Sequence, residues 1–187
     1  MLSFDHIPPF YKTDNEPRGI NLIVETPRGG RNKFALKDEF GVIELRRLVP
    51  RGLIWPCDFG FIPQTLGEDG DALDVALMID DPCFPGCLVR ARILGVIGLI
   101  KNGERNDRLL ACPISLSGSA SEWDELKTLQ DVSPRAIREI ETFLRDYQTF
   151  EGNQIELTGI GDENAAFELV RAAHENWRKQ DIKDEAG

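Results

Sequence analysis

Glu68-Asp69-Gly70-Asp71-Ala72-Leu73-Asp74-Val75-Ala76-Leu77-Met78-Ile79 is the stretch from which the rest of the chain is read. Leu73, Val75, Leu77 and Ile79 occupy every second position, the period of a β-strand with one face buried. The run is entered past Gly67 and Gly70 and left through Asp80-Asp81-Pro82, so turns bound it on both sides. Runs of the same kind, each flanked by Gly, Pro, Asn or Asp, cover residues 21–25, 33–37, 42–48, 88–100 and 109–112. Residues 153–158 predict one more strand.

Two helices are predicted near the C-terminus. Ser133 and Pro134 supply an N-cap and a first-turn proline, after which Ala136, Ile137, Ile140, Phe143, Leu144 and Tyr147 recur at helical spacing. The second helix follows Gly161-Asp162 and carries Ala166, Leu169, Val170, Ala173 and Trp177 on one stripe. Strands and helices do not alternate, which argues against a parallel α/β sheet. The expected fold is mainly β with flanking helices (α+β): a small closed OB-like β-barrel with two C-terminal helices. The length of 187 residues and the absence of repeats or low-complexity linkers predict a single domain over residues 1–187.

Charge narrows the function classes. The net charge of -10 has the wrong sign for a phosphate-backbone binder, so no nucleic-acid partner is expected. Residues 1–119 hold 16 acidic and 14 basic side chains, and residues 120–187 hold 16 and 8, so most of the excess lies on the C-terminal third. Within the balanced front portion, Glu68, Asp69, Asp71, Asp74, Asp80 and Asp81 form a stretch without Lys or Arg, while basic residues gather at Arg28, Arg31, Lys33, Arg46, Arg47 and Arg51. The start of the chain shows no signal-peptide pattern and no apolar run approaches membrane-spanning length, so a cytoplasmic, membrane-free protein is expected. Cys57, Cys83, Cys87 and Cys112 show no paired CxxC spacing and read as buried thiols rather than a disulfide frame or zinc site.

The acidic loop carries the chemistry. In an extended chain Asp69 and Asp71 point the same way and Asp74 the other, so all three converge only if the chain bends after Asp71. Two carboxylates about 4 Å apart repel by roughly 4 kcal/mol at an effective dielectric of 20. A converged trio therefore calls for a cation, and hard divalent ions such as Mg²⁺ suit oxygen ligands. A plain solvated acidic turn is the competing reading. An EF-hand is excluded because Leu73 and Asp74 occupy its fifth and sixth positions and a strand follows. P-loop and GxSxG motifs are absent, and of the two histidines His174 lies beside an apolar stripe, where a structural role is expected.

The acidic loop resembles the signature of the soluble Mg-dependent inorganic pyrophosphatases with a small β-barrel. Supporting matches are Glu25 before Pro27, Lys33-Phe34, Arg47, residues 55–62, Pro85-Gly86 and Tyr147. The resemblance implies hydrolysis of pyrophosphate, or a related phosphoanhydride, to phosphates by a metal-activated water. It implies Mg²⁺ as cofactor, with Mn²⁺ or Zn²⁺ as alternatives, and a homo-oligomer. By the same resemblance Asp69 and Asp74 hold metal ions with Asp71 and Glu25, and Asp71 accepts the proton. Lys33, Arg47 and Tyr147 bind phosphate oxygens.

Several positions depart from the family pattern. Ala35 replaces a glutamate, Phe59 a tyrosine, Arg108 and Gln148 each a lysine, and Lys101 and Asn106 stand where the family has metal-binding aspartates. Lys101 and Arg108 are therefore assigned to substrate binding, with the Lys101 ammonium substituting in part for a missing cation. Asp107 lies one residue from a ligand position, so a local shift of register would restore one ligand, although strand alternation aims it the other way. Two functions follow: a pyrophosphatase with weakened or altered activity, or a non-catalytic paralogue that binds phosphate compounds or another protein.

Overall fold

The computed structural model describes residues 4–11, 13, 16–37, 39–114 and 125–185. Its centre is a barrel of β1 (Gly19–Thr26), β4 (Asp58–Phe61), β5 (Asp74–Leu77), β8 (Arg108–Pro113) and β6 (Leu88–Lys101). They pair in that order, and β6 returns to β1 through Gly19↔Arg92 to Ile23↔Leu88, which closes the barrel. All these pairs are antiparallel except β5 with β8. β2 (Asn32–Lys37) and β3 (Val42–Leu48) form a separate hairpin, and β7 (Glu104–Arg105) and β9 (Ile155–Gly161) extend the far half of β6.

β6 makes closure possible because its 14 residues give their first part to β1, their middle to β8 and their end to β9. β4 is a strand the sequence pattern does not reveal. It has only four residues, and Gly60 lies so close to β1 that a Cβ there would collide with Ile23 O. A residue chosen for close backbone approach breaks the hydrophobic alternation that marks a strand.

The alternation in β5 is real, but the strand is buried on both faces. Val75 and Leu77 join one core with Ile20, Leu22, Val24 and Val170, and Leu73 and Ile79 pack against it. Ala76 and Met78 join a second core with Trp55, Leu110, Ile137, Ile140 and Phe143. The helices explain the difference: α1 (Pro134–Phe150) covers one face and α2 (Glu163–Glu185) the other. At about 1.5–3 kcal/mol per fully buried large apolar side chain, the α1 stripe is a major share of the driving force.

Both helix starts lie where the caps predict. Ser133 Oγ accepts from Arg135 N at 3.3 Å with Pro134 in the first turn, and Asp162 Oδ1 accepts from Ala165 N at 2.8 Å. His174 is structural as expected: it stacks on Trp177, meets Phe10 edge-on and pairs Nδ1 with Gln64 O at 2.8 Å. None of the four cysteines forms a disulfide; Cys57 and Cys112 are buried, whereas Cys83 and Cys87 are only half-buried.

Candidate active site

The acidic loop is a compact turn. Gly67 N donates to Asp71 O at 2.8 Å, Asp71 N donates to Asp69 Oδ1 at 3.2 Å, and Gly70 sits at φ +84°. The reversal thus falls at Gly70, in the left-handed region that glycine tolerates, and precedes Asp71 rather than following it. Thr65 anchors the exit, its Oγ1 accepting from Leu73 N at 3.0 Å.

Asp71 holds its proton more tightly than an ordinary carboxyl. Burial is the main cause, reinforced by the negative charges of Asp69 and Asp74 and opposed by Lys101 and Lys33. The trio is therefore close enough to interact, and two cations from distant parts of the chain face it. Yet among the described residues no three acidic, histidine or cysteine side chains stand close enough to hold one metal ion. The predicted convergence is replaced by protein-borne partners. Arg108 Nη2 pairs with Asp74 Oδ2 at 2.9 Å, and Asn106 Nδ2 donates to Asp69.

These two residues form one unit. Arg108 donates to Asn106 Oδ1 at 2.6 Å, to Asn106 O at 2.7 Å and to Asp107 O at 3.0 Å, and its side chain is buried with the residue 8% exposed. Arg108, expected at the substrate, directs its guanidinium onto Asp74, Asn106 and Asp107. Asp107 turns elsewhere, accepting from Leu99 N and pairing with Arg105 Nε at 2.6 Å, so no shift of register restores a ligand.

The opposite bank is the β2–β3 hairpin. Lys33 and Arg47 are direct cross-strand partners, which sets two like charges side by side. The end of α1 meets them both: the Lys33 ammonium lies 5.6 Å from the Tyr147 ring centroid, and Arg47 pairs with Glu151. Tyr147 is buried at 3% exposure and stacks on Phe143. Glu25 lies at the end of β1, where its Oε1 accepts from Leu36 N of the hairpin at 2.6 Å.

Other departures from the family pattern have structural uses. Phe59 packs edge-on against Trp55 at 5.0 Å, and Gln148 Oε1 accepts from Asn153 Nδ2 at 2.8 Å, bracing the turn between α1 and β9. Three residues were given no role from the sequence: Glu151; Asn106 as a donor to Asp69; and Asp58, a fully buried carboxylate accepting from Arg28 N and Cys83 N. Asp58 sits in the quoted motif at residues 55–62, and its burial is the signal, since a buried carboxylate needs donors. A cleft of about 90 Å³ opens beside Asp69, Asp74, Asn106 and Arg108 against α2. A larger groove of about 460 Å³ between residues 52–56 and α1 contains none of the predicted site residues.

Oxygen donors alone make up the acidic cluster, which suits a hard divalent cation and no soft one. Asp71 and Asp69 are the carboxylates such an ion would meet first, since Arg108 already holds Asp74.

A family model described as inorganic pyrophosphatase matches residues 22–178. An inorganic pyrophosphatase of Synechocystis is 32% identical over 159 residues, covering 85% of this chain and 92% of the relative. One from Nostoc is 34% identical over 155 residues, covering 83% and 89%. The crystal structure of an inorganic pyrophosphatase from Neisseria gonorrhoeae superposes with a TM-score of 0.84 at 28% identity, covering 94% of this chain and 99% of that one. That from Thermus thermophilus gives 0.80 at 29% identity, covering 91% and 98%. No helix among the described residues is long and apolar enough to cross a membrane. With a barrel, an acidic loop and a basic hairpin in the same places as its matched motifs, this chain belongs to the inorganic pyrophosphatase family.

Proposed function

We propose that the chain hydrolyses inorganic pyrophosphate to two phosphates by attack of water, with the acidic loop and the hairpin as the two banks of the site. The observation that carries this reading is the opposition of Lys33 and Lys101 to Asp71 inside a fold matched over residues 22–178. Pyrophosphate is a tetra-anion when fully ionised, so its site must supply positive charge on one side and a base on the other.

The family is metal-dependent, and Mg²⁺ is the proposed ion, with Mn²⁺ or Zn²⁺ as substitutes. Asp71 and Asp69 would hold it, with Asp74 joining only by releasing Arg108 and with Glu25 at the margin. A bound divalent cation supplies Lewis-acid stabilisation of phosphoryl charge and acidifies a water. Asp71 takes the proton from the attacking water. Lys33 and Lys101 stabilise phosphate oxygens as point charges. Arg47 offers a bidentate fork once Glu151 yields it, and Tyr147 orients Lys33 through its ring face. Arg108 acts as a positioning residue that keeps Asp74 and Asn106 in place.

The proposal extends to a cytoplasmic homo-oligomer. A non-catalytic phosphate-binding or protein-interaction role draws no support from the named relatives. The test is phosphate release from pyrophosphate with Mg²⁺, Mn²⁺ or Zn²⁺, with Asp71→Ala as control. Turnover that falls about 10²-fold or more in the variant is expected of a lost general base. Absence of turnover with all three metals, while pyrophosphate still binds, refutes it.

A further inference from the structure

Asp81-Pro82-Cys83-Phe84-Pro85-Gly86-Cys87 is the one segment that brings two cysteines within five residues, and the proposed hydrolysis makes no use of either. The chain reverses between Phe84 and Cys87: Cys87 N donates to Phe84 O at 3.1 Å, Pro85 fills the second turn position, and Gly86 sits at φ +90°. That is the signature of a type II turn, which brings its first and fourth Cα atoms within 7 Å. Cys83 stands one residue before the turn and Cys87 closes it. The Cys83 thiol lies near enough to Cys87 and to Asp58 to interact electrostatically with both, and Cys83 N donates to Asp58 Oδ2 at 2.8 Å.

We propose that Cys83 and Cys87 form a reversible intramolecular disulfide, a redox modification site on the loop that leads into β6. Both residues are half-buried and open to a small oxidant, whereas Cys57 and Cys112 are sealed in the core. Burial and the Asp58 charge push the Cys83 thiol up to about 12, which disfavours it as the first nucleophile. The attacking sulfur is then Cys87.

The chemistry balances with a peroxide as oxidant. The Cys87 thiolate attacks one peroxide oxygen, the O–O bond breaks, and hydroxide departs and picks up a proton to give water. The Cys83 sulfur then displaces the hydroxyl of the Cys87 sulfenic acid, forming the S–S bond. The Cys83 proton leaves with that hydroxyl as a second water. Two thiols and one peroxide thus give one disulfide and two waters, and a dithiol reductant returns both thiols.

The loop is also tied to the site. Val24 N donates to Cys87 O at 3.0 Å and Gly86 N donates to Val24 O at 2.7 Å, one residue before Glu25. Asp58 accepts from Cys83 N at 2.8 Å and from Arg28 N at 2.7 Å, which links the loop to the segment just after β1. The redox state of the pair therefore bears on the end of β1.

The experiment exposes the metal-free protein to hydrogen peroxide and measures intact mass. Loss of two hydrogens, about 2 Da, restored by dithiothreitol and abolished in both Cys83→Ser and Cys87→Ser, is the expected result. No Lys or Arg lies between Arg51 and Arg90, so trypsin leaves Cys57, Cys83 and Cys87 on one peptide. Fragmentation between Cys57 and Cys83 must place the whole mass loss on the later segment. This readout on the wild-type chain needs no core variant to fold. An unchanged mass, a Cys87 sulfinic acid with Cys83 still alkylatable, a bridge to Cys57, or a disulfide joining two chains would each overturn the proposal.

Discussion

Asn106→Asp is the substitution that probes most directly how the acidic loop is held. Asn106 donates to Asp69 and accepts from Arg108 at 2.6 Å, so the change keeps the acceptor and deletes the donor. The lost hydrogen bond to a charged group is worth about 1.5–3 kcal/mol. The new carboxylate repels Asp69 by roughly 4 kcal/mol at 4 Å and an effective dielectric of 20, and Arg108 returns attraction of about the same size. Because those two nearly cancel, the net cost in the metal-free protein is about 1.5–3 kcal/mol. At about 2–4 °C per kcal/mol for a chain of this size, Tm falls by about 3–12 °C. A divalent cation bound only by the folded protein returns about 2.7 kcal/mol at a hundred times its Kd. The assay is thermal unfolding followed by circular dichroism, in EDTA and across a MgCl2 series, with calorimetric titration of Mg²⁺. The variant should lose stability in EDTA, recover most of it in Mg²⁺ and bind the ion more tightly than the wild type. An unchanged Tm in EDTA, or an equal loss with and without the cation, would refute the reasoning.

Four other substitutions follow from the same geometry. Asp71 has its proton affinity raised by folding, so its contribution to stability is full below its unfolded pKa, near 3.8, and is lost as pH rises through the higher folded value. Asp71→Asn should remove that decline, leaving the metal-free protein more stable than wild type at neutral pH while turnover collapses; acid and neutral urea titrations check this. Glu151→Gln frees Arg47 from a partly exposed pair worth about 1 kcal/mol, so KM for pyrophosphate should fall about five-fold with kcat little changed. Trp55 Nε1 is buried without a hydrogen-bond partner among the described residues, a cost of about 1–3 kcal/mol. Trp55→Phe should therefore shift the urea midpoint by less than the loss of an indole normally does. Gly60→Ala drives a methyl into Ile23 O and should abolish the cooperative thermal transition.

How much of this was legible in the sequence depended on the range of the interaction. Local signals were: Ser133-Pro134 and Asp162 mark the helix starts in the structure, and the alternation through Val75 and Leu77 identifies a strand. The burial of Ala76 and Met78 was not, because it depends on α1 arriving from some sixty residues downstream. β4 stayed hidden for a related reason. Its Gly60 reports the closeness of β1, a tertiary fact, and not a local preference. At the site, residue types were readable from the motif, and the Lys101 charge acts on Asp71. Partners were not readable, since Arg108 could equally reach toward substrate or toward Asp74, and only the packing of β8 decides between them.

That choice of partners sets the character of the site. On the acidic bank, Arg108 holds Asp74, Asn106 holds Asp69, and Lys101 opposes the charge of Asp71. On the basic bank, the unfavourable juxtaposition of Lys33 and Arg47 is relieved by the Tyr147 ring and the Glu151 carboxylate from the end of α1. Each bank is therefore closed by residues of this chain before any ligand arrives. A cation must compete with Arg108 for Asp74, and a phosphate must displace Glu151 from Arg47. Both events exchange one ion pair for another, so the affinity gained is a difference between two similar energies and not the sum of new contacts. A site built this way binds its ligands more weakly than its charge inventory suggests, and single substitutions at Asn106, which frees Asp69, or at Glu151, which frees Arg47, are the changes that tighten it.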